Sequence, residues 1–140
     1  MKHIPVLDFS SLEKAVSSLD ESVTEYKKNP KNRFVRDANI QRFEYTYELS
    51  YKMLKRYLEI SEPNAEEIDQ MSFPNLIRTA SERGLVQNGW DVWKIYRDAR
   101  NITSHTYNEE KAIQICIIIP QFLDETKHLF FQLQKHIASL

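Results

Sequence analysis

The sequence predicts an all-α protein, an up-and-down four-helix bundle with a short accessory helix, and three observations carry that expectation. Only two of the 140 residues are glycine, Gly84 and Gly89, against about ten for average usage. That is too few for the positive-φ turns of a many-stranded sandwich or for a Gly-rich phosphate loop. Apolar residues recur at intervals of three and four, the period of a helix. Polar residues suited to capping stand where those stripes begin. A prior of roughly 150 residues per domain makes residues 1–140 a single domain, one that buries roughly 68–70% of its unfolded surface.

Ser10 and Glu13 form a capping-box pattern, after which Leu12, Ala15, Val16, Leu19, Val23 and Tyr26 mark a first helix that runs to Asn29-Pro30. Lys27 to Arg36 carries five basic residues and no acid, and its Asn and Pro residues read as a solvated connection. Ile40, Phe43, Tyr47, Tyr51, Leu54 and Leu58 then draw one stripe down a second helix of about 22 residues. Glu48 with Lys52 and Lys55 with Glu59 stand four apart on its wetter faces, a spacing that supports a helix locally. An acidic connection around Pro63 follows, and Ser72 with Pro74 in the first turn opens a short accessory helix that Gly84 ends.

Trp90 opens the next long helix. Val92, Ile95, Ala99 and Ile102 are its expected core stripe, while Trp93, Arg97, Arg100 and Ser104 share a neighbouring face. Trp90 and Trp93 read as core or interface residues. Thr103 to Asn108 is polar and poorly helical, Thr106 with Glu109 repeats the capping-box pattern, and a last long helix begins near Asn108. Pro120 is expected to kink that helix without ending it. Ala112 to Ile119 is apolar nearly all round, more than a surface helix needs, and predicts a homodimer. Phe122, Leu123, Phe130, Leu133 and Ile137 continue the stripe beyond the proline.

Charge and cysteine use narrow the function. Nineteen basic and twenty acidic residues leave a net charge of -1, so any anion site is local. Cys116, the single cysteine, lies in an apolar run and reads as a buried core thiol. No basic start precedes an apolar signal stretch, and no apolar run reaches the roughly 18 residues of a membrane span, so a cytoplasmic protein without membrane contact is expected. His3, His128 and His136 are scattered, no His pair has the spacing of a helical zinc site, and neither metal nor cofactor is expected. A Gly-Ser turn followed by an Asp-x-Asp pair is also missing, so the chain has no visible means of holding the two metals of nucleotidyl transfer.

The residues that could do chemistry lie in Arg100 to Tyr107, preceded by Arg97. On an unbroken helix, residues five apart point about 140° away from each other. Arg100 and His105 therefore converge only if the helix ends between them. Arg100 could then grip a phosphate through two parallel hydrogen bonds. The histidine could move a proton, since an imidazole ordinarily titrates at roughly 6.5, near neutrality. That pairing suits attack by an RNA 2′-hydroxyl on its neighbouring phosphate without a metal. One histidine cannot be acid and base at once, but a dimer would supply two. The plainer reading makes the arginines surface ion-pairing groups and His105 a helix-end cap.

Arg100, His105 and Tyr107 match the Arg-x4-His-x-Tyr motif of HepT-like proteins in the HEPN superfamily. The segments Ile40 to Leu49, Tyr51 to Lys55 and Arg100 to Glu109 resemble the branch called nucleotidyltransferase substrate-binding protein, and the similarity covers nearly the whole chain. The resemblance implies a dimeric bundle encoded beside a minimal nucleotidyltransferase, and it carries two functional stories. In one, the chain is the toxin of a toxin-antitoxin pair, a metal-independent endoribonuclease with Arg100 and His105 catalytic and Arg97, Asn101 and Ser104 binding RNA or nucleotide. The partner would silence it by adenylylating Tyr107. In the other, the chain is a non-catalytic nucleotide- or substrate-binding subunit of a two-component nucleotidyltransferase. An adenylyl group on Tyr107 would fill the cleft that RNA must enter, which accounts for a tyrosine two residues after the histidine.

Overall fold

The computed structural model describes residues 7–139, and among them every regular element is helical: α1 (Ser10–Lys28), α2 (Arg33–Ser61), α3 (Ala65–Asp69), α4 (Phe73–Glu82), α5 (Trp90–Asn101), a single 3-10 turn (Thr103–His105) and α6 (Glu109–Ala138). His3 lies outside the described residues. Helices α1, α2 and α6 pack on one another, and α5 closes the bundle against α6. The chain is thus an all-α bundle with α3 and α4 as accessories. No helix among the described residues is long and apolar enough to cross a membrane.

The expected stripes form the core. Leu12, Ala15, Val16, Leu19 and Val23 of α1 are buried against Ile40, Phe43, Tyr47, Leu54 and Leu58 of α2 and Ile115, Ile119, Phe122, Leu123 and Leu133 of α6, while Tyr26, Tyr51, Phe130 and Ile137 pack at the margin. Cys116 is buried, and that burial raises its thiol pKa. Beneath the stripes, Ser22 donates to Asn39 Oδ1 at 2.8 Å, and the Ser50 and Thr126 hydroxyls meet at 2.7 Å. These small polar pairs satisfy their own groups inside the bundle.

Several boundaries depart from the sequence reading. The connection between α1 and α2 is four residues, not ten, because the Asn32 side chain accepts from Phe34 N and Val35 N and starts α2 at Arg33. This lengthens α2 to 29 residues. Ser10 does not cap α1; Phe9 holds that position, and Asp8 accepts from the Ser10 N–H at 2.9 Å. Asn64 caps the unexpected α3 by accepting from Glu67 N. Ser72 caps α4 as expected, and Gly84 ends it with a φ of 72°, while the Leu85 N–H reaches back to the Ala80 carbonyl.

On α5 the core stripe is Trp93, Tyr96 and Ala99, not the aliphatic set, and Ile95 is exposed. The wide rings of Trp93 and Tyr96 stack edge-on against Phe122 of α6 and displace the aliphatic face outward. Neither expected ion pair within α2 forms: Glu48 pairs with Arg100 and Lys55 with Asp69. Asn108, rather than Thr106, caps α6, which then runs through Pro120 without ending.

Candidate active site

Helix α5 stops at Asn101, and the 3-10 turn Thr103–His105 turns the chain toward α6. The break falls between Arg100 and His105, the condition under which they can share a face. Thr103 secures it. Its buried hydroxyl donates to the Arg100 carbonyl at 2.9 Å and accepts from Arg100 Nη1 at 3.2 Å. Across the groove, Glu48 of α2 accepts from Arg100 Nε at 3.0 Å. Arg100 is thereby held at two edges, while its Nη2 donates to no side chain or carbonyl among the described residues. Neither Glu48 nor Thr103 stands out in the sequence as a site residue, since one reads as a local helix partner and the other as a loop threonine.

His105 is partly buried and Tyr107 is 86% exposed. The Tyr107 hydroxyl lies 3.5 Å from His105 Nδ1, a long contact, and the two rings stand edge to face with centroids 6.0 Å apart. Asn108 N donates to the His105 carbonyl at 3.0 Å, so the histidine, the tyrosine and the cap of α6 form one short structural unit. Ser104 and Asn101 are exposed beside it and donate to neither Arg100 nor His105. No hydrogen bond joins Arg100 to His105 directly, so they are neighbours in the turn and not a bonded pair.

Arg97 lies one turn back along α5. Its guanidinium sits 5.9 Å from the ring centres of both Phe73 and Trp90, within the range of a cation–π contact. Below it, burial reinforced by the charge of Glu48 pushes the Tyr47 phenol up to about 12, with Arg97 and Arg100 acting in the opposite direction. No group of three His, Cys, Asp or Glu side chains among the described residues is arranged as metal ligands. The other two described histidines contact backbone carbonyls of the scaffold: His128 that of Gly84 at 3.2 Å and His136 that of Gln132 at 2.7 Å. Chemically, the junction carries an oriented cation at the end of α5 and, past the 3-10 turn, an imidazole beside an open phenol.

A sequence model of nucleotidyltransferase substrate binding protein-like chains matches residues 7–135. The chain is 44% identical over 96 residues to a Haemophilus influenzae protein named probable ribonuclease HepT, an alignment covering 69% of this chain and 65%, less than two thirds, of that relative. In structure it is similar to HI0074 of the same organism, described as the fold of a substrate-binding domain of a nucleotidyltransferase, with a TM-score of 0.84 and 35% identity over 91% of this chain and 99% of the other. A protein of Thermus thermophilus superposes with a TM-score of 0.68 and 31% identity over 87% and 98% of the two chains. The matched region takes in the whole bundle and the α5–α6 junction, and the chain belongs to the HepT-like, nucleotidyltransferase substrate-binding protein family.

Proposed function

We propose that the protein is a metal-independent endoribonuclease, the toxin of a pair whose antitoxin is a minimal nucleotidyltransferase. The observation that carries this reading is the break of α5 between Arg100 and His105, which removes the continuous helix that would hold the two apart, with the Arg100 guanidinium already oriented by Glu48 and Thr103. In the reaction, the RNA 2′-oxygen attacks the adjacent phosphorus, its proton goes to an imidazole, and the bond to the 5′-oxygen breaks as that oxygen gains a proton. A 2′,3′-cyclic phosphate and a 5′-hydroxyl result. Arg100 stabilises the charge on the phosphoryl oxygens, and Arg97, Asn101 and Ser104 line the approach of the RNA strand. His105 serves one proton transfer at a time, so two protomers supply base and acid.

The exposed Ile95, Ile113 and Ile117 on α5 and α6 are the face through which we propose that dimer forms. Ile117→Lys then yields a monomer in light scattering, and a variant that stays dimeric removes this interface from the reading.

Silencing follows from Tyr107. Its open hydroxyl attacks the α-phosphorus of ATP held by the partner, pyrophosphate leaves, and the phenolic proton passes to a base, for which His105 Nδ1 lies closest. The bulky adenylyl group then occupies the edge that RNA must approach. Such a pair works in the cytoplasm, where RNA and ATP coexist.

The test is cleavage of a labelled mixed RNA in chelator by protein whose intact mass shows no adduct. The parent cuts and His105→Ala does not. Equal cutting by both removes His105 from the chemistry. A second reading, a non-catalytic nucleotide-binding subunit, draws support from the similarity to HI0074. It expects no cutting by either protein and saturable nucleotide binding that weakens on Arg100→Ala.

A further inference from the structure

Three aromatic rings outside the proposed chemistry gather on the surface around Arg97. Tyr51 and Phe73 stack with centroids 5.1 Å apart and planes at 22°, and Phe73 meets Trp90 edge to face at 5.4 Å. All three are partly exposed, whereas Trp93, directly behind them, is fully buried. The exposed guanidinium of Arg97 covers two of the rings. Core packing alone does not need this arrangement, because Trp93, Tyr96 and Phe122 already seal the interior at that level. Ten residues of helix separate Trp90 from Arg100, about 15 Å along the axis, with Arg97 between them on the same face.

We infer that the Tyr51–Phe73–Trp90 shelf with Arg97 is a base-stacking subsite for single-stranded RNA, holding a nucleotide further along the strand from the phosphate gripped by Arg100. Every nucleobase has a π-face, so such a shelf binds without reading sequence, and an arginine beside it serves both stacking and the intervening phosphate. Two guanidinium groups on one face favour a polyanion over a neutral peptide. The inference rests on the nuclease reading for the choice of RNA, but its test reads binding separately from cleavage.

The chain has two tryptophans, and Trp90 is the one with exposed surface, so indole emission reports on the shelf. The titrant is a short single-stranded oligoribonucleotide with 2′-deoxy sugars at every cleavable step, which binds without being cut. Parent protein shows saturable quenching. Trp90→Ala and Arg97→Ala, followed by anisotropy of a labelled oligonucleotide, each bind about 5- to 100-fold more weakly. Arg97 is exposed, so its variant keeps the fold even if Trp90→Ala does not. Parental affinity in both variants overturns the shelf, and if the parent still cuts all-ribose RNA the nuclease reading survives. Quenching and weakened variants without any cutting sustain the shelf and overturn the nuclease. An oligonucleotide that binds no form of the protein overturns the shelf as well.

Discussion

Glu125 and Arg100 are both charged groups drawn into the bundle by partners far away in sequence, yet their surroundings differ in kind. Glu125, on α6, is fully buried, and its carboxylate accepts from Gln87 N at 2.8 Å, Asn88 N at 3.1 Å and Asn88 Nδ2 at 3.3 Å. It ties the α4–α5 loop to the core and has nothing left to offer a ligand. Arg100 is half-buried, engages Glu48 through Nε and Thr103 through Nη1, and keeps its Nη2 without a partner among the described residues. A closed polar cluster is spent on folding, whereas one with spare hydrogen-bonding capacity has room for a ligand. The difference is visible in which atoms remain unpaired, not in residue type.

Substitutions separate the two regions. His105→Ala is expected to lower RNA cleavage by about 10²–10⁴-fold with little change in Tm. A Tm loss comparable to that of a core mutant would make His105 a scaffold residue. Glu125→Ala takes the acceptor from two part-buried backbone N–H groups, at about 1–3 kcal/mol each, and lowers Tm by roughly 10 °C, with cleavage per folded molecule unchanged. An unchanged Tm would show that water replaces the carboxylate and that the cluster is not closed.

Two smaller effects sharpen the contrast. Tyr47 titrates at about 12 in the fold against 10.0 as a free group, and burial raises the Tyr96 phenol as well. The unfolded chain thus loses these protons first. Stability contributed by the neutral phenols is complete below pH 10 and falls as pH rises toward 12, by roughly 1.4 kcal/mol per pH unit for each tyrosine. Tyr47→Phe flattens part of that fall in denaturant titrations, and an unaltered slope would assign it elsewhere. Asn108→Ala removes the cap that accepts from Lys111 N and costs about 1 kcal/mol in urea unfolding.

Much of the fold was legible because it rests on long amphipathic stripes: the spacing from Ile40 to Leu58 is enough to place α2, and Ser72, Pro74 and Gly84 bracket α4. Short-range signals misled where two candidates competed. Asn32 outweighed the basic run as the start of α2, and Asn108 outweighed Thr106 as the start of α6, because each side chain reaches an orphan N–H that its rival does not. The five-residue α3 has too little periodicity to read. On α5, aliphatic Ile95 fits a stripe as well as Trp93 does, and only the ring of Phe122 across the interface decides between them. Within the candidate site, the residue types of Arg100 to Tyr107 single out that stretch from sequence, whereas Glu48 and Thr103 as the brackets of Arg100 depend on tertiary placement. The aromatic cluster under Arg97 is illegible in the sequence for the same reason, since Tyr51, Phe73 and Trp90 come from three different helices.

The seam between α5 and α6 has a consequence for how such a protein changes over generations. Between Arg100 and Asn108, Thr103 is the one buried residue, so apart from Ile102, which packs on the core, and the Asn108 cap, positions of the candidate site can be exchanged at little cost to the bundle. Most of the selection for foldability falls on the stripes, and selection for activity falls on a short replaceable stretch. A lineage built on this scaffold is free to lose, regain or redirect its chemistry while its architecture stays the same.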